Sequence, residues 1–127
     1  MTQEVRLSQI GQISVPVKNV ERATAFYRDQ LGMAHLFSAP PGLSFFDCDG
    51  VRLMLSRPEG PGQETRSSVL YFRVPNIQAA HGALVGRGVQ FHDPPHLIAE
   101  METHDLWMAF FYDSEANMLA IMSEVPR

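Results

Sequence analysis

The sequence predicts an α+β protein built from two copies of one βαβββ unit, and three observations carry that expectation. Residues 10–32, IGQISVPVKNVERATAFYRDQLG, read as a strand feeding a helix. Ile13, Val15 and Val17 alternate with Gln12, Ser14 and Pro16, the period of a half-buried strand. The pattern then returns in residues 69–88, VLYFRVPNIQAAHGALVGRG, where Val74, Asn76, Ile77 and Ala80 stand 57 positions after Val17, Asn19, Val20 and Ala23. A second constant separation, 66 positions, joins Phe45, Asp47, Leu53 and Leu55 to Phe111, Asp113, Leu119 and Ile121.

Taken in order, Asn19 offers an N-cap, and Val20, Ala23, Tyr27 and Leu31 follow at helical spacing up to Gly32, which suits the C′ position. Ala34–Ala39 is a short strand stopped by Pro40-Pro41-Gly42. Leu43–Cys48 and Val51–Ser56 flank Asp49-Gly50, a two-residue hairpin signal. Residues 58–67 are rich in Pro, Gly and charge and read as a linker. In the second copy Val69–Val74 is a strand, and Asn76 caps a helix carrying Ile77, Ala80 and Leu84 that stops near Gly88. Val89–Phe91 starts a strand that Asp93-Pro94-Pro95 interrupts and that resumes at His96–Ala99. Leu106–Tyr112 and Asn117–Ser123 complete the unit. The chain 1–127 is therefore expected to be one domain, with modules at 8–57 and 68–125 joined by the linker.

Composition excludes several classes. The 127 residues carry a net charge of −4 with 10 unclustered basic residues, which is no nucleic-acid footprint. No apolar run approaches the ~20 residues that span a membrane. The segment MTQEVRLSQ lacks the basic and apolar regions of a signal peptide. Cys48 is the one cysteine, which fits a reducing, cytoplasmic setting; its plain reading is a buried, inert thiol.

Alternation divides the strands into two faces. Ile13, Val15, Val17, Leu53, Leu55, Leu70, Phe72, Val74, Leu119 and Ile121 form a uniformly apolar face suited to packing under the helices. Gln12, Ser14, Arg52, Met54, Ser56, Val69, Tyr71, Arg73, Met118, Ala120 and Met122 form the other. That mixture of apolar wall and few polar groups suits the inside of a cupped sheet holding a small ligand; the competing reading is a solvated sheet face.

These segments, with GVRLML and FFYDSEANMLAIM, make the chain similar to the vicinal oxygen chelate superfamily, which includes glyoxalase I, bleomycin-resistance proteins, methylmalonyl-CoA epimerase and extradiol dioxygenases. The resemblance runs from Ile10 to Val125, with Ala116 where the family usually has Gly. It implies a cupped, incomplete, barrel-like eight-stranded mixed sheet with helices outside, and association as homodimers that sometimes exchange modules. It also implies four positions at which the family holds a divalent metal for Lewis-acid chemistry. Those positions fall at Gln12, Met54, Val69 and Ala120. Only Gln12 suits a hard or borderline metal; Met54 offers a soft thioether, and Val69 and Ala120 offer nothing. Ala120 also removes the carboxylate that serves as proton-transferring base in the glyoxalase and epimerase branches. The expectation is that the usual metal centre and any cofactor are absent.

Other chemistry is sparse. His92, His96 and His104 are the remaining residues from which a displaced metal site would be assembled, though their spacing supports it poorly; otherwise His96 and His104 orient a ligand at the cavity mouth. Arg52 and Arg73 would fork a carboxylate or phosphate if they point into the cup, or run to its rim and pair with acids. Tyr71 and Trp107 are candidates to stack on a planar ligand or to pack. The expected ligand-binding set is thus Gln12, Arg52, Met54, Val69, Tyr71, Arg73, His96, His104, Trp107, Met118, Ala120 and Met122. The favoured function is metal-free binding of a small, anionic or planar molecule. The alternatives are a lyase, isomerase or dioxygenase-like enzyme using a displaced metal or the acid–base groups His104 and Tyr71, and an interaction module that kept only the fold.

Overall fold

A computed structural model describes residues 5–40, 42–58 and 68–127. The expected linker lies outside them except for Pro58. The elements run β1 (Gln12–Pro16), α1 (Val20–Ala25), a π-helical stretch (Phe26–Gln30), β2 (Ala34–Ala39), β3 (Leu43–Cys48) and β4 (Val51–Ser56). The second module follows with β5 (Leu70–Arg73), α2 (Ile77–Gly86), β6 (Gln90–Phe91), β7 (His96–Glu100), β8 (His104–Tyr112) and β9 (Met118–Pro126). Among the described residues nine strands replace the expected eight because the Asp93-Pro94-Pro95 break separates β6 from β7, and both pair antiparallel with β8. The strands form two mixed sheets, ordered β1-β4-β3-β2 and β5-β9-β8-β6, the second with β7 also on β8. The matching orders, each with a parallel pair (β1 with β4, β5 with β9), are the structural form of the internal repeat.

Local chemistry accounts for the elements. Asn19 and Asn76, both extended, accept from the N–H groups of Arg22 and Ala79 and satisfy one orphan donor at each helix start. Gly32 and Gly88 follow the helices with φ of +75° and +88°, a conformation in which a side chain is strained. These glycines are 56 positions apart rather than 57, since the π-helical stretch inserts one residue into the first helix. At the β3–β4 hairpin Asp49 and Gly50 both have positive φ, 51° and 92°, as a two-residue primed turn requires.

Each helix covers its own sheet, and the apolar faces read from alternation meet in one core. Val15, Val17, Leu53, Leu55, Leu119 and Ile121 are at most 3% exposed. Tyr27, Phe46, Val89 and Phe111 join the two modules within the same cluster. Gln30 Nε2 donates to the Arg87 carbonyl at 3.0 Å and Arg87 Nη1 to the Gln30 carbonyl at 3.4 Å. These residues, 57 positions apart, each lie at the C-terminal end of their helix. Contact between matching ends is what a local two-fold axis through the helix ends produces. The helix-side faces of the two sheets thus face each other, and their open faces point away from each other.

Candidate functional site

The open face of the first sheet carries Gln12, Ser14, Arg52, Met54 and Ser56, as the cross-strand register Gln12–Arg52, Ser14–Met54 and Pro16–Ser56 requires. Gln12 Nε2 donates to Met54 Sδ at 3.7 Å, and the Ser14 and Ser56 hydroxyls are 3.2 Å apart. Phe45 and Phe37 extend this surface, their rings 4.7 Å apart, and the Arg52 guanidinium lies 5.7 Å from the centre of the Phe45 ring. Arg52 therefore sits on an aromatic wall rather than only at a rim.

The open face of the second sheet carries Tyr71, Arg73, Met118, Ala120 and Met122, with Val69 just before β5. Tyr71 is 48% exposed and meets Phe110 edge-on at 5.9 Å. Ala120, flanked by Tyr71 and Phe110 as cross-strand partners, is fully buried. Arg73 reaches the edge and pairs with Glu124 at 3.3 Å, and His104 Nε2 lies 3.4 Å from the other oxygen of that carboxylate. His96 is on the same face opposite Met108; its Nδ1 is 3.1 Å from the Pro94 carbonyl, an obligate acceptor, so Nδ1 carries the proton.

Trp107 corrects the sequence expectation. It pairs with Ser123 and Leu97 on the opposite side of the sheet and packs against the core near the start of α2. The run LWMAFFY is apolar at every position, so alternation assigned no face within it. For the same reason Met108 and Phe110, which do stand on the open face beside Met122 and Ala120, were not recognised. Phe37 and Phe45 were missed because β2 and β3 were not divided into faces; their β-bulge at His35–Phe37 would have obscured β2 in any case.

The four family metal positions split between the sheets: Gln12 and Met54 on one, Val69 and Ala120 on the other. Their donor set does not fit a divalent metal. An amide that already donates to a thioether, an aliphatic side chain and a buried methyl offer no anionic or imidazole ligand. His96 and His104 do not repair this. His96 is opposite Met108, four residues from His104 on β8, which separates them by about 14 Å. Among the described residues no group of three His, Cys, Asp or Glu side chains converges for metal binding. Burial and the neighbouring Asp47 carboxylate push the Cys48 thiol up, which favours its neutral form. A wider depression of about 810 Å³ lies beside α1, with Lys18, Arg28 and Arg57 at its edge, away from both open faces.

The remaining polar machinery joins the modules. Asp113 Oδ1 accepts from the Glu115 and Asn117 N–H groups at 2.8 Å each, and Oδ2 accepts from Tyr27 Oη at 2.6 Å and Asn117 Nδ2 at 2.9 Å. Asn117 Nδ2 also donates to the Pro16 carbonyl at 3.0 Å. Glu115, its side chain 4% exposed, accepts from the Lys18 and Asn19 N–H groups and forms an ion pair with Arg22. Burial opposes ionisation of Glu115, but Arg22 and the two N–H donors outweigh it and hold the carboxyl below its usual range. Burial, then Asp113, pushes the Tyr27 phenol far up, so it stays a donor.

The protein-family model described as Glyoxalase/Bleomycin resistance protein/Dioxygenase superfamily matches residues 9–121. No curated protein matches the chain in sequence. A superfamily member from Sphaerobacter thermophilus superposes with a TM-score of 0.78 at 20% identity, covering 93% of this chain and 98% of that one. An antibiotic-binding protein from a Streptomyces species gives 0.76 at 23% identity over 95% and 99% of the two chains. A lactoylglutathione lyase from Agrobacterium tumefaciens gives 0.70 at 17% identity over 91% and 93%. At these identities the likeness establishes the fold.

Proposed function

The chain belongs to the glyoxalase/bleomycin resistance protein/dioxygenase superfamily, and from that premise we propose that it is a metal-independent small-molecule-binding protein. The observation that carries this reading is the donor set at the family's metal positions, where Gln12 and Met54 engage each other and Ala120 is a buried methyl between aromatic neighbours. In place of ligands the open faces offer Phe37, Phe45, Tyr71, Phe110 and several methionines, a wall for a planar apolar body, with Arg52 and Arg73 to meet an anionic group. The antibiotic-binding neighbour shares the fold and is consistent with such a role.

Because the open faces of one chain point apart, a closed cavity needs a second copy, whose second-module face would cover the first-module face of this chain. We therefore infer a homodimer that works in the cytoplasm. The outer edge of β1, with which no strand pairs among the described residues, helps, since Gln12 and Ser14 present backbone groups that β4 does not use.

A second reading, an acid–base enzyme, is favoured by one contact, the His104–Glu124 pair on the open face. The test begins with metal content by mass spectrometry of untagged protein purified without chelator. Traces of metal together with thermal stabilisation by planar organic acids support the binding reading. Near-stoichiometric zinc, nickel, manganese or iron would sink it. Turnover that disappears in His104→Ala would favour the enzyme.

A further inference from the structure

We propose that the crevice between the modules beside β5 is a second binding site, selective for small phenolic molecules. The two modules are copies of one unit, yet they close against each other with different side chains. Around Tyr27 the ring is completely buried, Phe26 lies edge-on at 5.7 Å and Oη donates to Asp113, and the depression left outside them, lined by Phe26, Gln30 and Asp113, is about 520 Å³. Fifty-seven positions on, α2 carries Ala83 and Leu84 where the first helix has Phe26 and Tyr27. The acid matching Asp113, 66 positions earlier, is Asp47.

The exchange removes two aromatic rings from this side of the local two-fold. The opening on this side is the larger of the two, about 680 Å³, with Met33, Cys48, Ala83 and Leu84 along one wall, Tyr71 and Arg73 of β5 along the other, and Asp47 on its rim. Asp47 repeats the turn half of the Asp113 pattern, since its Oδ1 accepts from the Gly50 N–H at 3.2 Å. The phenol half is missing: among the described residues no hydroxyl donates to Asp47 as Tyr27 does to Asp113. An incoming ring would regain the dispersion contacts that Ala83 and Leu84 forgo, and its hydroxyl would donate to the carboxylate. The neutral Cys48 thiol adds a soft, polarisable wall. The crevice borders the open faces, since Tyr71 and Arg73 also line it and Asp47 pairs across the strands with Arg52, but its apolar wall of Ala80, Ala83 and Leu84 belongs to α2 and is not part of the ligand wall proposed above.

The probe is p-cresol, the tyrosine side chain as a free molecule, titrated into the full chain and followed by backbone amide NMR. The expected result is saturable shifts at Met33, Asp47 and Ala80, with 4-methylanisole, which cannot donate, binding about tenfold more weakly. Leu84→Tyr, which builds the ring in, should abolish the effect. Asp47→Asn, at an exposed position that should not affect folding, should weaken p-cresol by a similar factor. Equal binding of p-cresol and 4-methylanisole, shifts confined to Met54 and Phe110, or no saturation at the crevice would each overturn the proposal. The last outcome includes the case in which a second copy already fills the crevice.

Discussion

Tyr27 of the first helical segment donates its hydroxyl to Asp113, at the end of β8, across the junction of the two modules at 2.6 Å. Both groups are buried, with Tyr27 0% and Asp113 6% exposed, so neither regains a water partner if the other is removed. Tyr27→Phe should therefore destabilise the fold by about 1.5–3 kcal/mol, the range for a hydrogen bond to a charged group. Urea unfolding should show a lower midpoint with an unchanged m-value; an unchanged midpoint would mean that the bond does not hold the modules together.

Glu115 predicts an acid-sensitive junction. Its folded carboxyl lies below the ordinary value of 4.5, so its ionised form is favoured by folding. That stabilisation is complete above 4.5 and is lost as the pH falls through the lower folded value. Glu115→Gln should be less stable than the parent at pH 7, and the gap should narrow as the pH is lowered below about 4. A gap that stays constant with pH would assign the effect to packing instead.

Two backbone positions predict opposite signs. Ala116 holds φ at +65° in the turn before β9, a strained conformation for any side chain, so Ala116→Gly should gain about 1 kcal/mol. Gly32 holds φ at +75°, and Gly32→Ala should lose about 1 kcal/mol. Paired thermal melts decide it: the two shifts in Tm should have opposite direction.

The open faces and the core side of the second sheet should separate in binding. For a planar ligand identified by thermal shift, Tyr71→Ala and Phe45→Ala should each weaken affinity about tenfold, the scale of an aromatic hot spot. Trp107→Phe, on the far face, should leave affinity unchanged in calorimetry. Loss of binding in the Trp107 variant alone would place the ligand against the helix side.

The chain should sediment as a species of about twice its 14.2 kDa mass, since one chain turns its two open faces apart. A monomer at all accessible concentrations, still able to bind ligand, would confine the site to one open sheet.

Much of this was legible in the residues. The two caps, the Asp49-Gly50 hairpin and the apolar sides of β1, β4, β5 and β9 follow from short-range sterics and from alternation, which act between near neighbours in the chain. The side-chain chemistry of Gln12, Met54, Val69 and Ala120 is read directly from the residues, but that these four positions matter came from the resemblance to the family, with the repeat only connecting them. The face of Trp107 was not legible, since β8 is apolar throughout and its orientation is set by hydrogen-bond register with β9 and β7.

The sequence by itself thus determined the two modules, their strand and helix order and the chemistry at the family positions. Only the tertiary structure decided how the modules meet. That arrangement rests on contacts between residues far apart in the chain: Tyr27 with Asp113, Arg22 with Glu115, Gln30 with Arg87. Such pairings leave no periodic trace, because each depends on the rigid-body placement of two finished units rather than on the local preferences that built them.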